Sequence, residues 1–370
     1  MFILKFVLFL LSPFLLYAQT VLNFQSENRQ IEVKKLFSNL GVPWGMTFVG
    51  NKELLVTLKE GTFVLLDTQS GTKKVLKARI DVLLNGQGGL LDIQTSPNFK
   101  NDRTVYFTYV KSVDNQGATT LAKARFESGE LHDMQDIVVT QSQSDTSRHF
   151  GSRITFDEQE HLFFGVGDRG VRSNGQDLLT HAGSILRLNL DGSVPKDNPF
   201  VKENRARPEI YSYGHRNPQG LYFDKINQRL IEGEHGPRGG DEVNIIQKGA
   251  NYGWATISYG KEYWNPLPVG EGTHKKGMEQ PLKVYIPSIA PSSLIVYQGE
   301  MNSPFRGNIF QGALKLTHLN RLVLDDKDNV ITKERWLEDM HERIRNVIED
   351  NSGNLLISTD SGNIYQLILK

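Results

Sequence analysis

Apolar residues in this chain fall in short runs of Val, Ile, Leu, Phe and Tyr, broken by Asn-Gly, Asp-Gly, Ser-Gly and Gly-Gly. Runs of this length between turn formers predict β-strands. Almost no window repeats apolar residues at the i, i+3, i+4, i+7 spacing of a helix over three turns. The strands recur as a unit: a short apolar strand, a polar turn, a strongly apolar strand, a charged or glycine-bearing loop, and a third strand. Copies begin at Trp44–Phe48, Gly89–Ile93, Ser152–Phe156, Gln219–Phe223, Ser292–Val296 and Arg345–Glu349. Their second strands are Glu53–Thr57, Thr104–Tyr109, His161–Val166, Arg229–Gly233, Gly307–Gln311 and Asn354–Ser358. Six such units, roughly 45 to 75 residues apart, predict an all-β, six-bladed β-propeller. No unit can bury both faces of its sheet alone, so radial stacking must supply the core. Two separate sandwiches would not explain one unit repeated from end to end.

Ahead of the first repeat, Lys5, the apolar run Phe6–Leu16 and Tyr17-Ala18-Gln19 read as a secretory signal over residues 1–18. Residues 19–370 then form a single domain. The run is short for a membrane span, although a retained N-terminal anchor is the alternative; no later segment is apolar enough to cross. The mature chain is therefore expected to be periplasmic or secreted. It has no cysteine, so an exported fold must rely on a large core or bound metal. The 42 Lys and Arg balance the 42 Asp and Glu, which leaves no overall field favouring nucleic acid or an anionic membrane. A charged ligand must be caught by a local cluster.

Such a cluster is predicted by the repeat. In a propeller, the loop entering each innermost strand and the loop after each second strand open at the same end of the central axis. The first set carries Gln87, His149, Arg216, Asn217, Arg343 and Arg345; the second carries Lys59, Asp168, Gly236-Pro237, Lys315 and Asp360. Taken singly, His149 reads as a hydrogen-bonded core histidine and Arg216 as a brace for its own turn. Lys315, flanked by Leu314 and Leu316, is expected to be paired rather than solvated. Arg343 and Arg345 alternate around Ile344, so they share one face of a strand and call for an anion, from a ligand or a neighbouring carboxylate. Together these residues predict an active site at one end of the axis with a positive lining. The stretch Glu234–Glu242, continuing to Trp254, adds glycines, carboxylates and free carbonyls, the hard oxygen ligands that suit calcium. The competing reading of that stretch is a well-bonded hairpin loop.

The motifs match a known family. Gly86-Gln-Gly-Gly-Leu-Leu-Asp-Ile93, His149-Phe-Gly-Ser-Arg153, Gly167-Asp-Arg-Gly170 and Ile185-Leu-Arg-Leu-Asn189 occur in order. Tyr213-Gly-His-Arg-Asn-Pro-Gln-Gly220, the Glu234–Trp254 stretch, Gly312-Ala-Leu-Lys315 and Arg343-Ile-Arg345 follow. With this set the chain resembles the pyrroloquinoline-quinone-dependent sugar dehydrogenases of the glucose/sorbosone group, above all the smaller aldose dehydrogenases. The resemblance implies oxidation of the anomeric hydroxyl of an aldose to a lactone. It implies His149 as the general base and Arg216 beside the quinone oxygen. Gln87, Asn217, Lys315, Arg343 and Arg345 would contact the cofactor. It further implies one calcium on the backbone carbonyls of Gly236 and Pro237, and a second, structural calcium on Glu242 and the backbone of Tyr252. The electron acceptor is external and unspecified. Arg148 stands where the glucose-type enzymes carry a carboxylate, and the loops are shorter, which points to a more open sugar site and a monomer. Asp168 is expected to shape its loop, with contact to substrate left open. A calcium-dependent propeller lactonase is the competing enzyme class. It would place carboxylates and asparagines on the axis, where this chain places cations. A non-catalytic binding propeller is the other alternative.

Overall fold

The computed structural model describes residues 18–300 and 303–369. The signal expected over residues 1–18 lies outside these except for Ala18. Among the described residues, no helix is long and apolar enough to cross a membrane.

Five repeats fold as antiparallel sheets of four strands, the last contributes three strands to a sheet of five, and the six sheets form the blades of a propeller. The innermost strands are Pro43–Phe48, Leu90–Thr95, Ile154–Phe156, Pro218–Asp224, Pro291–Val296 and Ile344–Glu349, each packed against its neighbours around the axis. Three strands per blade follow the expected order. The fourth, outer strands were not anticipated: Lys73–Arg79, Glu130–Val139, Ile210–Tyr213, Lys283–Tyr285 and Val330–Trp336. Several of these are short or largely exposed, so they carry little of the apolar pattern that marks a strand.

The second strands show why the apolar runs are continuous. In Glu53–Leu58, Leu54 and Val56 pack with Leu356 and Ile364 of the last blade, while Leu55 packs with Ile93 and Phe107 of the second. Successive side chains leave a strand on opposite faces, and both faces of a blade are covered by a neighbour. The ring is closed by the chain's own start. Gln19–Ser26 and Arg29–Phe37 complete the last sheet, with Ile31 opposite Leu369 and Val33 opposite Leu367. This ties the two ends of the domain together.

On the axis itself sits Arg153, fully buried. Its Nη1 donates to Asp92 Oδ1 at 2.6 Å and its Nε to the Gln219 carbonyl at 3.2 Å. Its Nη2 donates to the carbonyls of Trp44 and Arg345 at 3.3 and 2.9 Å. Five blades thus meet at one guanidinium. A cavity of about 500 Å³ opens on one side of it, lined by Thr47, Thr95, Thr155 and Asn346 among others. The functional residues gather at the other end.

Candidate active site

At that end, two loops bring His149 and Asp168 together. His149 takes φ 60°, and Gly151 and Ser152 follow at 64° and 98°, so the chain doubles back sharply before the innermost strand of the third blade. Gly167 permits the approach of the second loop, because a Cβ there would stand 2.3 Å from the His149 carbonyl oxygen. His149 Nδ1 lies 2.6 Å from Asp168 Oδ1. Asp168 Oδ1 also accepts from Gly170 N–H at 2.7 Å, and its Oδ2 accepts from the Trp254 indole Nε1 at 2.7 Å. Burial works against the Asp168 charge, but His149, Arg216 and the Gly170 N–H outweigh it and hold the carboxyl below its ordinary range. Burial also depresses the His149 pKa, and Asp168 only partly opposes this while Arg216 and Arg148 add to it. A neutral imidazole beside an ionised carboxylate must donate from Nδ1, which leaves the Nε2 lone pair free to accept a proton. Asp168 therefore does more than shape its loop.

Arg216 is fixed from three sides. Its backbone N–H donates to Glu234 Oε2 at 2.5 Å, and its Nη1 donates to the carbonyls of His235 and Gly236 at 3.0 and 2.7 Å. Its guanidinium lies 5.2 Å from the Trp254 ring centroid. Arg216, His149, Asp168, Pro237, Trp254, Arg148, Arg172, Tyr263 and Trp264 line one cavity of about 120 Å³. Gln87 links this cavity to a second one, since its Oε1 accepts from the His149 backbone N–H at 2.8 Å. Asn217 accepts from Gly151 N–H through Oδ1, and its buried Nδ2 has no protein partner.

The second cavity, about 420 Å³, is lined by Trp44, Lys59, Gln87, Gln219, His235, Arg343, Arg345 and Asp360 among others. Asp360 is shared: its carboxylate accepts from Arg343 Nε at 2.9 Å and from Arg345 Nε and Nη2 at 2.8 and 2.9 Å. The neighbouring carboxylate called for by the paired guanidiniums is thus Asp360. Lys59 donates to the Gly86 carbonyl at 2.6 Å, and burial followed by Arg345 pulls its pKa down. Three cations against one carboxylate leave this lining positive. His235, half-buried, is held neutral with a pKa lowered to about 3 by desolvation and by Arg216. Lys315 departs from expectation. Its side chain is exposed rather than paired, and its backbone N–H bonds to the Ile289 carbonyl. Leu314 turns to the cavity in its place, so the lysine on the lining is Lys59.

Glu242 and Tyr252 belong to a separate, deeper pocket of about 20 Å³, shared with Glu234, Gly236 and Arg216. This is room for one water or one ion. Asn244 Nδ2 lies 3.1, 3.4 and 3.4 Å from carboxylate oxygens of Glu232, Glu234 and Glu242. Glu232 Oε1 and Asn244 Oδ1 are buried without a partner. Ligand atoms of His215, Glu232 and Glu234 lie within 4.8 Å of one another, and His215 stacks on Tyr252. Burial, then the charge of Glu234, drives the pKa values of Glu232 and Glu242 well up. Carboxylates so placed must be protonated, as the raised pKa values of Glu232 and Glu242 favour, or paired with a cation. Glu234 belongs to the stretch read as calcium-binding from the sequence, but Glu232, Asn244 and His215 were not singled out as ligands. The signal was there: Glu232 pairs with Asn244 and Glu234 with Glu242 across two strands. With a period of two, all four share one face.

Over most of its length the chain is similar to known proteins. The family profile "Glucose / Sorbosone dehydrogenase" matches residues 40–366. "Aldose sugar dehydrogenase YliI" of Escherichia coli is 34% identical over 336 residues, covering 89% of this chain and 90% of that protein. The crystal structure of the soluble aldose sugar dehydrogenase from Escherichia coli in the apo-form superposes with a TM-score of 0.88 at 32% identity, over 92% of this chain and 100% of that one. The PQQ-bound aldose sugar dehydrogenase of Streptomyces coelicolor superposes with a TM-score of 0.75 at 25% identity, over 92% and 98%.

Proposed function

The chain belongs to the glucose/sorbosone dehydrogenase family, and we propose that it oxidises the anomeric hydroxyl of aldose sugars to lactones with pyrroloquinoline quinone and calcium. The observation that carries this reading is the pairing of a polarised neutral histidine with a positive cavity linked to it through Gln87. Bound there, the quinone would supply a two-electron oxidant and the calcium a Lewis acid. The cofactor's carboxylates fit the lining of Lys59, Arg343 and Arg345, and the unpartnered Asn217 Nδ2 is a further donor for it. Gln87 would contact it from the same wall. Lys315, exposed beside Leu314, would reach it only from the rim.

The residues of this chain do the rest. His149 Nε2 takes the proton from the C1 hydroxyl, and Asp168 holds the ring in the required tautomer and stabilises the imidazolium that forms. Arg216, anchored to Glu234 and two carbonyls, would present its guanidinium to the bound quinone without reorganisation. The carbonyls of Gly236 and Pro237 would hold the catalytic calcium; Gly236 O already accepts from Arg216 and has a second lone pair for the ion. The cluster of Glu232, Glu234, Glu242 and Asn244, two of which line the pocket with Tyr252, would suit the structural calcium. Export under the N-terminal signal is part of the same reading.

The test is to reconstitute purified protein with the quinone and calcium and to follow aldose-dependent reduction of an artificial dye. Turnover on a panel of sugars is expected. Absence of turnover on every sugar, with the cofactor's absorbance band showing that it is bound, would refute the reading.

A further inference from the structure

Arg148, Arg172 and Arg216 all line the cavity that holds His149, and two of the three are committed within the protein. Arg172 donates from Nη1 and Nη2 to the two carboxylate oxygens of Glu262, each at 2.7 Å. Arg216 donates to the carbonyls of His235 and Gly236 and stands beside the Trp254 ring. Arg148 differs. It is exposed, and among the described residues no carboxylate or carbonyl accepts from its guanidinium.

The direction of Arg148 is nonetheless set. Gly170 lies against its side chain: at φ 73°, a Cβ there would stand 2.8 Å from Arg148 Nε and 3.5 Å from its Cγ. The Gly170 N–H also holds Asp168 Oδ1, so the turn that fixes the partner of the base makes room for Arg148 as well. The Arg148 carbonyl accepts from the buried guanidinium of Arg169, which stacks on Phe150 at 3.5 Å. Backbone and stem are thus placed, and the charged end is left open. That end is close enough to His149 for its charge to depress the imidazole pKa. The charges of this wall do not balance. Its one carboxylate, Asp168, is spent on His149, Gly170 and Trp254, and Glu262 offsets only Arg172. With Arg216 turned to the oxidant, Arg148 is the cation left for the substrate.

The geometry points to an aldose that carries an anionic group, a uronate carboxylate or a phosphate, as the preferred substrate, with Arg148 as the partner of that group. This inference rests on the oxidation of aldoses proposed above and names the substrate class. A neutral sugar offers the guanidinium only hydroxyls, whereas an oxyanion can accept from two of its N–H groups at once. A sugar that presents C1 to His149 Nε2 brings its other ring substituents against the wall beside the base. Acidic aldoses are then oxidised in preference to their neutral counterparts.

Two measurements test this. The first is the ratio of kcat/KM on galacturonate to that on galactose, and on glucose 6-phosphate to that on glucose, for the reconstituted full chain, Arg148→Gln and Arg148→Lys. A charge-assisted bidentate contact is worth about a tenfold change. The wild-type ratio is expected to exceed one for at least one pair, and Arg148→Gln to lower it by about that factor, mostly through the KM of the acidic sugar. Arg148→Lys should keep part of the preference, and added salt should shrink it. A preference for galacturonate assigns the anion as a carboxylate, and one confined to the phosphate pair assigns it as a phosphate. Wild-type ratios no greater than one in both pairs, or equal losses on acidic and neutral sugars in Arg148→Gln, overturn the inference. The second is a saturation-transfer NMR titration of the full chain without added quinone. The acidic sugar is expected to bind with the lower Kd, and Arg148→Gln to abolish the difference. If no sugar is oxidised but this difference is seen, the anion site stands and the proposed reaction falls. If neutral sugars are oxidised while acidic ones neither bind more tightly nor turn over faster, the reaction stands and the anion site falls.

Discussion

Replacing Asp92 by asparagine removes the carboxylate that faces Arg153 while keeping the shape of the side chain. Asp92 Oδ1 accepts from Arg153 Nη1 at 2.6 Å, and its Oδ2 accepts from the Ile154 backbone N–H at 2.9 Å. Neither residue reaches water: Asp92 is 0% and Arg153 3% exposed. Burial accordingly pulls the Asp92 pKa up and the Arg153 pKa down. Breaking a buried pair by removing one partner leaves an uncompensated charge and costs about 3–5 kcal/mol. At about 2.1 cal/mol/K per residue, a domain of this size has an unfolding entropy of about 0.7 kcal/mol/K, so Tm should fall by about 4–7 °C. Arg153 also holds the carbonyls of Trp44, Gln219 and Arg345, three residues of the positive cavity. Asp92→Asn should therefore weaken cofactor binding as well as stability. The assay is thermal and urea denaturation of the full chain, with a cofactor titration of each variant under folding conditions. A loss below about 1 kcal/mol with unchanged cofactor affinity would show that the axial pair neither holds the ring nor supports the cavity.

The acid limb of the kcat/KM profile should lie below pH 6.5, because the base must be neutral and burial depresses the His149 pKa. Asp168→Asn removes the group that raises that pKa, so the limb should move further to acid while the plateau rate falls; a limb moving to alkali would contradict the dyad. His149→Ala should keep the cofactor's absorbance band and lose about 10²–10⁴-fold in kcat, measured by dye reduction. Arg345→Met and Lys59→Met should each weaken cofactor binding in an absorbance titration, with the loss shrinking at high salt, whereas Lys315→Met should have a smaller effect. Chelation of divalent cations should lower Tm, and Glu234→Gln should reduce that dependence; a Tm indifferent to both would argue against a cation among Glu232, Glu234 and Glu242.

The strands of each blade are legible because their signal is local. In Glu53–Leu58 each neighbouring pair of apolar residues serves two different blades, so the run is apolar throughout and readable without knowing its partners. The same holds for the loop positions: equivalence within the repeat is enough to place His149, Arg216, Arg343 and Arg345 at one end of the axis. Lys315 is exposed although its sequence neighbours are apolar, because such neighbours do not report which way a side chain leaves a turn. The outer strands and the closure of the ring by Arg29–Phe37 escaped because half-exposed strands lack a strong pattern.

The chain's own order of residues thus determines the strands, the sixfold repeat, and the ring of chemistry-bearing positions at one mouth, since each depends on neighbours a few residues away. Only the tertiary structure decides which of these side chains meet. Asp168 turns to His149 rather than to solvent, Asp360 bridges Arg343 and Arg345, and four polar residues on two strands share one buried face. The reason is physical. Charge pairing, burial and orphaned donors arise from groups far apart in sequence, and they exist only once the six sheets have closed around the axis.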